Sequence, residues 1–445
     1  MTATAAPPPS SAIGDQALGI GVRDVYVTEL RKLFAQLTTR LLALLVALGP
    51  LAFAALLKVQ SGTPSDALFG AWVHTSGYAI SLVTLGFAGT WGFPIITGAL
   101  AGDLFSSEDR YGTWKTILTR SCSREDVFVG KVLAAGTLVT IMAALLACSS
   151  VIAGAALVGL HPLVNLSGEL TSSGRMLALT LLSWAYCVLP ALAYMSVAIL
   201  ISVTTRNGIL GVLGPLLLAL VTQLLDLVGR GVIVHTLLIG SGFDAWHGLF
   251  VADPFFGPAA ISALVCLTWM LVGLSASWRV LRGRDFVNST SGPSWTTPIR
   301  VVGATIIVIA ALALSSSLGP GAVSGNRVAA SVGATFNNVT LLQQALIGRY
   351  APASAHLKVL PNCNKRGAAD TGPGDWLCTL YVYLPQPKSV PFQQSNVEYD
   401  VSVQYNGCWK ASSPPSFVGG ATMTNAAGKQ VTNPLYVVYG CFNVL

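Results

Sequence analysis

The chain is 445 residues long, 53% hydrophobic and only 10% charged, with a formal net charge of +7. A soluble domain carries about 25% charged residues, so an ordinary soluble globule is excluded, and the mean hydropathy of +0.65 agrees. The positive balance does not point to nucleic acid. Lys and Arg sit beside the ends of apolar runs, not in a basic stripe interleaved with aromatics, which is where a membrane protein carries them.

Residues 1–17 read as a disordered cytoplasmic tail of mainly Ala, Pro, Thr and Ser, without the basic stretch and apolar core of a cleavable signal peptide. Residues 18–37 read as an amphipathic helix. Val22, Val25, Tyr26, Leu30, Leu33, Phe34 and Leu37 recur at helical spacing, with Arg23, Asp24, Glu29, Arg31 and Lys32 between them. Such a helix suits a membrane interface. Residues 38–285 then hold six apolar runs of the length that crosses a hydrocarbon core, roughly 20 residues each. They are placed at 41–57, 76–101, 132–158, 176–203, 208–228 and 258–278. The second is Gly-rich and interrupted by Pro94, and a tight turn at 204–207 joins the fourth to the fifth. Residues 230–255 are broken by Gly240, Gly242, Asp244, Asp253 and Pro254 and read as a re-entrant or interfacial segment. A polar linker, 286–300, leads into a seventh span, 301–319, and residues 325–445 form a last domain.

The basic residues orient the spans. With the N-terminus inside, the inner segments hold Arg23, Arg31, Lys32 and Arg40, then Arg110, Lys115, Arg120, Arg124 and Lys131, then Arg206, and finally Arg279, Arg282, Arg284 and Arg300. The short outer segments hold Lys58, Arg175 and Arg230 alone. Positive charge collects on the cytoplasmic side, so seven spans leave the C-terminal domain outside. Of eight cysteines, Cys148, Cys187 and Cys266 lie in apolar spans and Cys122 on the inner side. Cys363, Cys378, Cys408 and Cys441 all follow the last span, and four cysteines in a polar domain suit two disulfides in an oxidising compartment. Three pairings are open, and Cys363–Cys378 with Cys408–Cys441 is the one expected. Zinc is the alternative, but there is no Cys-x-x-Cys pair and His356 is the domain's sole histidine. The domain reads as α+β. Residues 335–349 form an amphipathic helix through Leu341, Leu342, Ala345 and Leu346; 377–384 and 397–405 read as strands, with a turn at Asn406-Gly407, and 435–439 as a last strand.

The segment 103–131 is too long for a simple turn. It is patterned as one or two short helices, with Trp114, Ile117 and Leu118 as an apolar ridge flanked by charges. Such a piece suits a cytoplasmic partner that buries the aromatic anchor and pairs charges at its rim. The pattern Glu108-x-x-x-Gly112-Thr113, then Leu118, Ser123-Arg124 and Gly130-Lys131, resembles the loop between helices two and three of ABC-2 type permeases. The helix around Glu29-Leu30-x-Lys32-Leu33 is similar to the one that precedes their first span, and 230–255 to their pair of short re-entrant helices. The likeness covers about residues 20–285. Ser121 stands where many relatives have Pro.

The resemblance implies a polytopic all-α membrane protein: a six-helix ABC-2 type permease core, here with a seventh transmembrane helix and an extracytoplasmic α+β, disulfide-containing domain. It implies a bacterial plasma-membrane export permease with no catalytic activity and no cofactor of its own. Segment 103–131 would be the coupling helix, with Glu108, Arg110, Gly112, Thr113, Trp114, Ile117, Leu118 and Arg124 meeting the ATPase. ATP and Mg would be held by a separate P-loop ATPase chain, since no Gly-x-x-x-x-Gly-Lys-[Ser/Thr] occurs here. A second permease half and membrane lipids are the other partners, and the cargo would be a lipid, drug or other amphiphile.

Other polar groups carry less. Asp226 and Arg230, four apart near the end of the fifth span beside Gln223, form a possible membrane ion pair. His235, Asp244, His247 and Asp253 match no metal-ligand spacing. Gly98-x-x-x-Gly102 permits close helix packing. Two other functions compete. A membrane-anchored enzyme or assembly factor would need a cluster that Asp370, Asp375, Glu398, Asp400 and His356 do not form by spacing. An ion-coupled transporter would need carboxylates at mid-membrane.

Overall fold

The structure, a computed structural model, describes residues 21–59, 67–118, 123–228, 237–284, 323–348, 357–367, 369–383 and 394–444, with a few positions between 296 and 307. The tail 1–17, most of the linker 286–300 and of the seventh span 301–319, His235, His356, Arg120, Ser121, Cys122 and the Asp226–Arg230 side chains lie outside the description.

The amphipathic helix α1 runs Val22–Ala35. A one-residue break at Gln36 leads into α2, Leu37–Val59. The second apolar run folds as α3, Gly77–Phe87, a π-turn over Ala88–Gly92, and α4, Phe93–Ala101. Pro94 explains the irregularity: it has no N–H to give, and the N–H of Phe93 reaches back five residues to the Ala88 carbonyl. Two short helices follow, α5 (Ser106–Arg110) and α6 (Trp114–Leu118). Then come α7, Arg124–Leu157, α8, Ser173–Thr205, α9, Gly208–Val228, and α10, Gly257–Arg282. Among the described residues five helices are long and apolar enough to cross a membrane; α9 is apolar but described for a shorter length. Residues 237–256 carry 3-10 turns at Ile239–Phe243 and Ala245–Phe250, a broken backbone as the glycines and Pro254 require.

Burial ranks the helices. In α8, 78% of the apolar window is buried against the protein, whereas α2 and α10 each reach 28%. α8 is the hub, and the leucines of α2 (Leu44, Leu45 and Leu48) face outward, as lipid-facing side chains do. Small residues set the closest approaches. A Cβ on Gly211 of α9 would lie 2.0 Å from the Gly102 carbonyl oxygen just beyond α4, and one on Gly98 would lie 2.4 Å from the Val212 oxygen. Gly98-x-x-x-Gly102 is therefore a packing contact. Gly77 and Gly154 make the same arrangement between α3 and α7. Gly211→Val is expected to cost about 1–3 kcal/mol through overpacking, seen as a lower thermal midpoint of the purified protein; an unchanged midpoint would contradict the contact.

The C-terminal domain lays one helix on one sheet. Helix α11, Gly325–Leu346, begins ten residues before the amphipathic stretch expected at 335–349. Its buried face is Val328, Val332, Phe336 and Val339. The sheet has five antiparallel strands in the order β1-β2-β3-β4-β5: Lys358–Lys365, Gly374–Tyr383, Gln394–Val403, Cys408–Ser412 and Val437–Cys441. Along β2 the side chains of Trp376, Cys378, Leu380 and Val382 alternate into the core with the two-residue period of a half-buried strand. Cys363 faces Cys378 and Cys408 faces Cys441 in register, and both pairs are disulfide-bonded. The expected pairing is the observed one.

This domain sits on the helix ends opposite to segment 103–118. The Asn338 side chain donates to the Ser167 carbonyl at 2.8 Å, the Ala71 N–H to the Tyr439 hydroxyl at 3.3 Å, and the Tyr405 hydroxyl to Asp244 Oδ2 at 3.2 Å. Cys408, Val437, Tyr439 and Cys441 belong to the same apolar core as the helices.

Candidate functional site: a charged junction at the helix ends

At the other end, the motif Glu108-x-x-x-Gly112-Thr113 closes on itself. Helix α5 ends in a left-handed residue, Gly112, at φ +68°. The Thr113 N–H donates to the Glu108 carbonyl at 3.0 Å and the Gly112 N–H to the Asp109 carbonyl at 3.3 Å, the paired bonds of a Schellman cap. The turn brings the Thr113 hydroxyl onto the Glu108 carboxylate, to which it donates.

Glu108 is also where three separate motifs converge. Lys131 of α7 is fully buried and donates to Glu108 Oε1 at 2.9 Å and to the Leu104 carbonyl at 3.3 Å. It also pairs with Glu29 of α1 at 3.0 Å. Lys32 donates to Glu108 Oε1 at 2.6 Å and lies 3.6 Å from Glu29. Burial by itself lowers the pKa of the Lys32 ammonium, but the bond to Glu108 and the charges of Glu29 and Glu108 outweigh it and raise it. Two cations and two carboxylates thus neutralise one another, with Lys131, Glu108 and Glu29 buried and Lys32 closing the cluster from the exposed side. Gly130 makes the approach possible, since a Cβ there would meet Val25 Cγ1 of α1 at 2.7 Å. The Gly130-Lys131 pair is therefore a contact residue followed by the charge it positions.

A second set of bonds ties the segment to the last helix of the core. Ser123 caps α7: its hydroxyl accepts from the Asp126 N–H at 3.0 Å, and the Ser123 N–H donates to Asp126 Oδ2 at 3.3 Å. The next residue, Arg124, donates to the Arg282 and Arg284 carbonyls at 2.7 and 2.9 Å. It thus satisfies carbonyls at the negative end of α10. Arg284 in turn pairs with Asp109. Asp103 accepts from Ser106 at 2.8 Å and from Arg110 at 2.7 Å, and the Ser106 N–H donates to Ser202 Oγ of α8 at 3.1 Å.

The predicted residues therefore divide into two groups. Glu108, Thr113, Arg124 and the turn at Gly112 hold the segment to α1, α7 and α10. Trp114, expected to face a partner, turns inward: it is 4% exposed and stacks on Phe105 at 6.3 Å, with Phe128 and Trp278 continuing the aromatic run. Ile117 and Leu118 are half-buried against the same core. The exposed surface is instead Arg110, Tyr111 (72% exposed), Gly112, Lys115 and Thr116. Lys131, Glu29 and Lys32 were visible in the motifs as charges, but nothing in their spacing marks them as one ion cluster. Among the described residues no three of His, Cys, Asp and Glu gather as metal ligands do.

No curated protein matches the chain. Residues 27–225, from α1 through most of α9, match the family model described as ABC-2 family transporter protein. That segment holds most of α1, the junction at Glu108 and the glycine contacts of α4 with α9, and over it this membrane-embedded chain is similar to the ABC-2 family transporter permease domain.

Proposed function

We propose that the chain is the membrane subunit of an ABC exporter, driven by a separate P-loop ATPase docked on residues 103–118. The observation that carries this reading is the junction itself. A segment outside the apolar body is welded by Glu108 and Lys131 to α1 and α7, and by Arg124 and Arg284 to α10, while Arg110, Tyr111, Gly112, Lys115 and Thr116 stay exposed. A force applied to that surface reaches three helices as one rigid piece. Buried ion clusters contribute little net stability because desolvation offsets attraction; what this one supplies is a fixed geometry, which a lever needs.

The positive charge gathered at this end supports a cytosolic junction. The N-terminus is then inside, and with a seventh span the C-terminal domain lies outside, where its disulfides suit an oxidising compartment. ATP and Mg bind in the ATPase. Closure of two ATPase subunits pushes on the docked segments and shifts the balance between two orientations of a pathway formed with a second permease half. The cargo is a lipid, drug or other amphiphile.

The reading predicts that the full chain co-purifies with a P-loop ATPase from native membranes. The paired substitution Tyr111→Ala with Lys115→Glu should weaken that association by about 30-fold or more, in the range of two interface anchors, while leaving the thermal midpoint unchanged. These positions test the docking surface more cleanly than Gly112 or Arg124, whose side of the segment supports the fold. Retention of the ATPase by the variant would overturn the docking assignment.

A further inference from the structure

The break at Gln36 turns α1 into α2 and leaves two arginines at one elbow. Arg40 Nε folds back and donates to the Phe34 carbonyl at 3.1 Å, one of those that the end of α1 leaves without a helical partner. The other guanidinium nitrogens of Arg40 have no partner among the described residues. Arg31 stands one turn before Phe34 on the same side of α1. It is exposed and makes no hydrogen bond or ion pair with a described residue. The two guanidinium groups therefore flank Phe34, which is itself exposed.

Little acid on these helices answers that charge. The exposed charges of α1 and of the first turn of α2 are Arg23, Arg31, Lys32 and Arg40 against Asp24 alone. Glu29 is turned into the junction, where Lys131 holds it. Asp24 lies two turns before Arg31, about 10 Å along the axis, and accepts from the Gly21 N–H at 3.3 Å.

Beyond the elbow the exposed surface is hydrocarbon. Leu37, Leu41, Leu44 and Leu48 are each more than half exposed, and their spacing puts them on one face of α2. The stripe is about 16 Å long, the depth of one leaflet of a hydrocarbon core roughly 30 Å thick. It begins beside Phe34, so Arg31 and Arg40 stand at headgroup depth with an acyl-chain track beneath them. A soluble anion would meet the arginines and leave the stripe unused. A zwitterionic lipid would use the stripe and leave the net positive charge unanswered.

We infer that the elbow binds an anionic phospholipid, its phosphate between Arg31 and Arg40 and one acyl chain along the leucine stripe. Guanidinium groups suit this ligand because their forked N–H donors match phosphate oxygens. An amphipathic helix at a membrane surface draws its affinity from the same two sources, apolar burial and attraction to anionic headgroups. The helix also gives Glu29 and Lys32 to the junction, so a lipid held here braces the element on which the lever closes. That consequence rests on the permease reading; the binding itself does not.

The test titrates the purified full chain in detergent with dioleoyl phosphatidylglycerol, without nucleotide or partner, and reads the first lipid bound by native mass spectrometry. Saturable binding is expected, at least tenfold tighter than that of dioleoyl phosphatidylcholine. Arg31→Ala with Arg40→Ala should weaken it about thirtyfold, the scale of two basic side chains near a headgroup. Arg31→Ala alone should weaken it about fivefold. Arg31 makes no polar bond within the described protein, so this variant tests the site even if Arg40→Ala disturbs the elbow. Arg279→Ala with Arg282→Ala, an equal loss of exposed charge at the end of α10, should change binding less than twofold. Equal binding of the phosphatidylcholine would overturn the proposal. So would displacement of the lipid by millimolar inorganic phosphate, the mark of a free-anion site, or an equal loss in the α10 variant, the mark of diffuse surface charge. Unchanged binding by Arg31→Ala would overturn it as well. Because no ATPase is present, failure here leaves the docking assignment standing, and loss of that assignment leaves the lipid site standing.

Discussion

Replacing Lys131 with methionine is expected to destabilise the protein by about 3–5 kcal/mol, the cost of leaving buried carboxylates without their partner. Methionine fills the space of the lysine stem, so the change removes charge and not volume. Glu108 and Glu29, 4% and 7% exposed, would then share Lys32 alone. The Leu104 carbonyl would lose its donor as well. The measurement is the thermal midpoint of the purified chain in a fixed detergent, with Glu108→Gln and the double variant completing a cycle. The double variant is expected to be less damaged than the sum of the single changes, because it removes both ends of the pair. A Lys131→Met midpoint equal to that of the unaltered chain would show that the junction carries no structural charge pairing.

The second large effect lies at the opposite end of the molecule. Removing the Cys408–Cys441 bond, by changing both to serine, is expected to destabilise the C-terminal domain by about 3–4 kcal/mol, the loop-closure entropy of a link of this span. The bond joins residues 33 apart. It ties β4 to β5, the strands whose Cys408, Val437, Tyr439 and Cys441 enter the core shared with the helices. Opening of the domain should therefore rise by about two to three orders of magnitude. Limited proteolysis of the full chain reads that directly, when cleavage is slow against reclosing. Cleavage within a factor of two of the unaltered chain would contradict it. Insertion of the helices should be unaffected, since α1 to α10 pack together through their own contacts.

The parts of the fold that were legible in sequence are those fixed by local chemistry. A span announces itself by length and hydropathy, and α2, α7, α8, α9 and α10 lie where the apolar runs are. That the four C-terminal cysteines form disulfides was legible from their place in a polar domain, whereas their pairing is decided by register, which sets Cys363 against Cys378 and Cys408 against Cys441 on neighbouring strands. What failed depended on partners distant in the chain. Trp114 begins a five-residue helix, too short for its period to reveal a face, and it turns inward because Phe105 and Phe128 form a surface for it. Lys131 stands just before an apolar run and reads as an ordinary flanking charge. Its burial follows from Glu29, about a hundred residues earlier, reaching it across Gly130. In α11 the leucines at 341 and 342 suggested one face, yet the sheet covers Val328, Val332 and Phe336, a choice made by strands formed later in the chain. Strands β1 and β4 were missed because Pro361 with Asn362, and the brief Cys408–Ser412 run, lack a clear alternation.

On the proposed function, residues 103–118 are a lever gripped from the cytosol by an ATPase. The most direct measurement places a photocrosslinking phenylalanine analogue at position 111, where Tyr111 is exposed beside the Glu108 junction, and irradiates intact membranes. The expected product is a covalent adduct with a P-loop ATPase that forms with the ATPase bound and is absent when the analogue replaces the inward-facing Trp114. An adduct with an extracytoplasmic protein, or no ATPase adduct from position 111 in a complex that holds the ATPase, would contradict it.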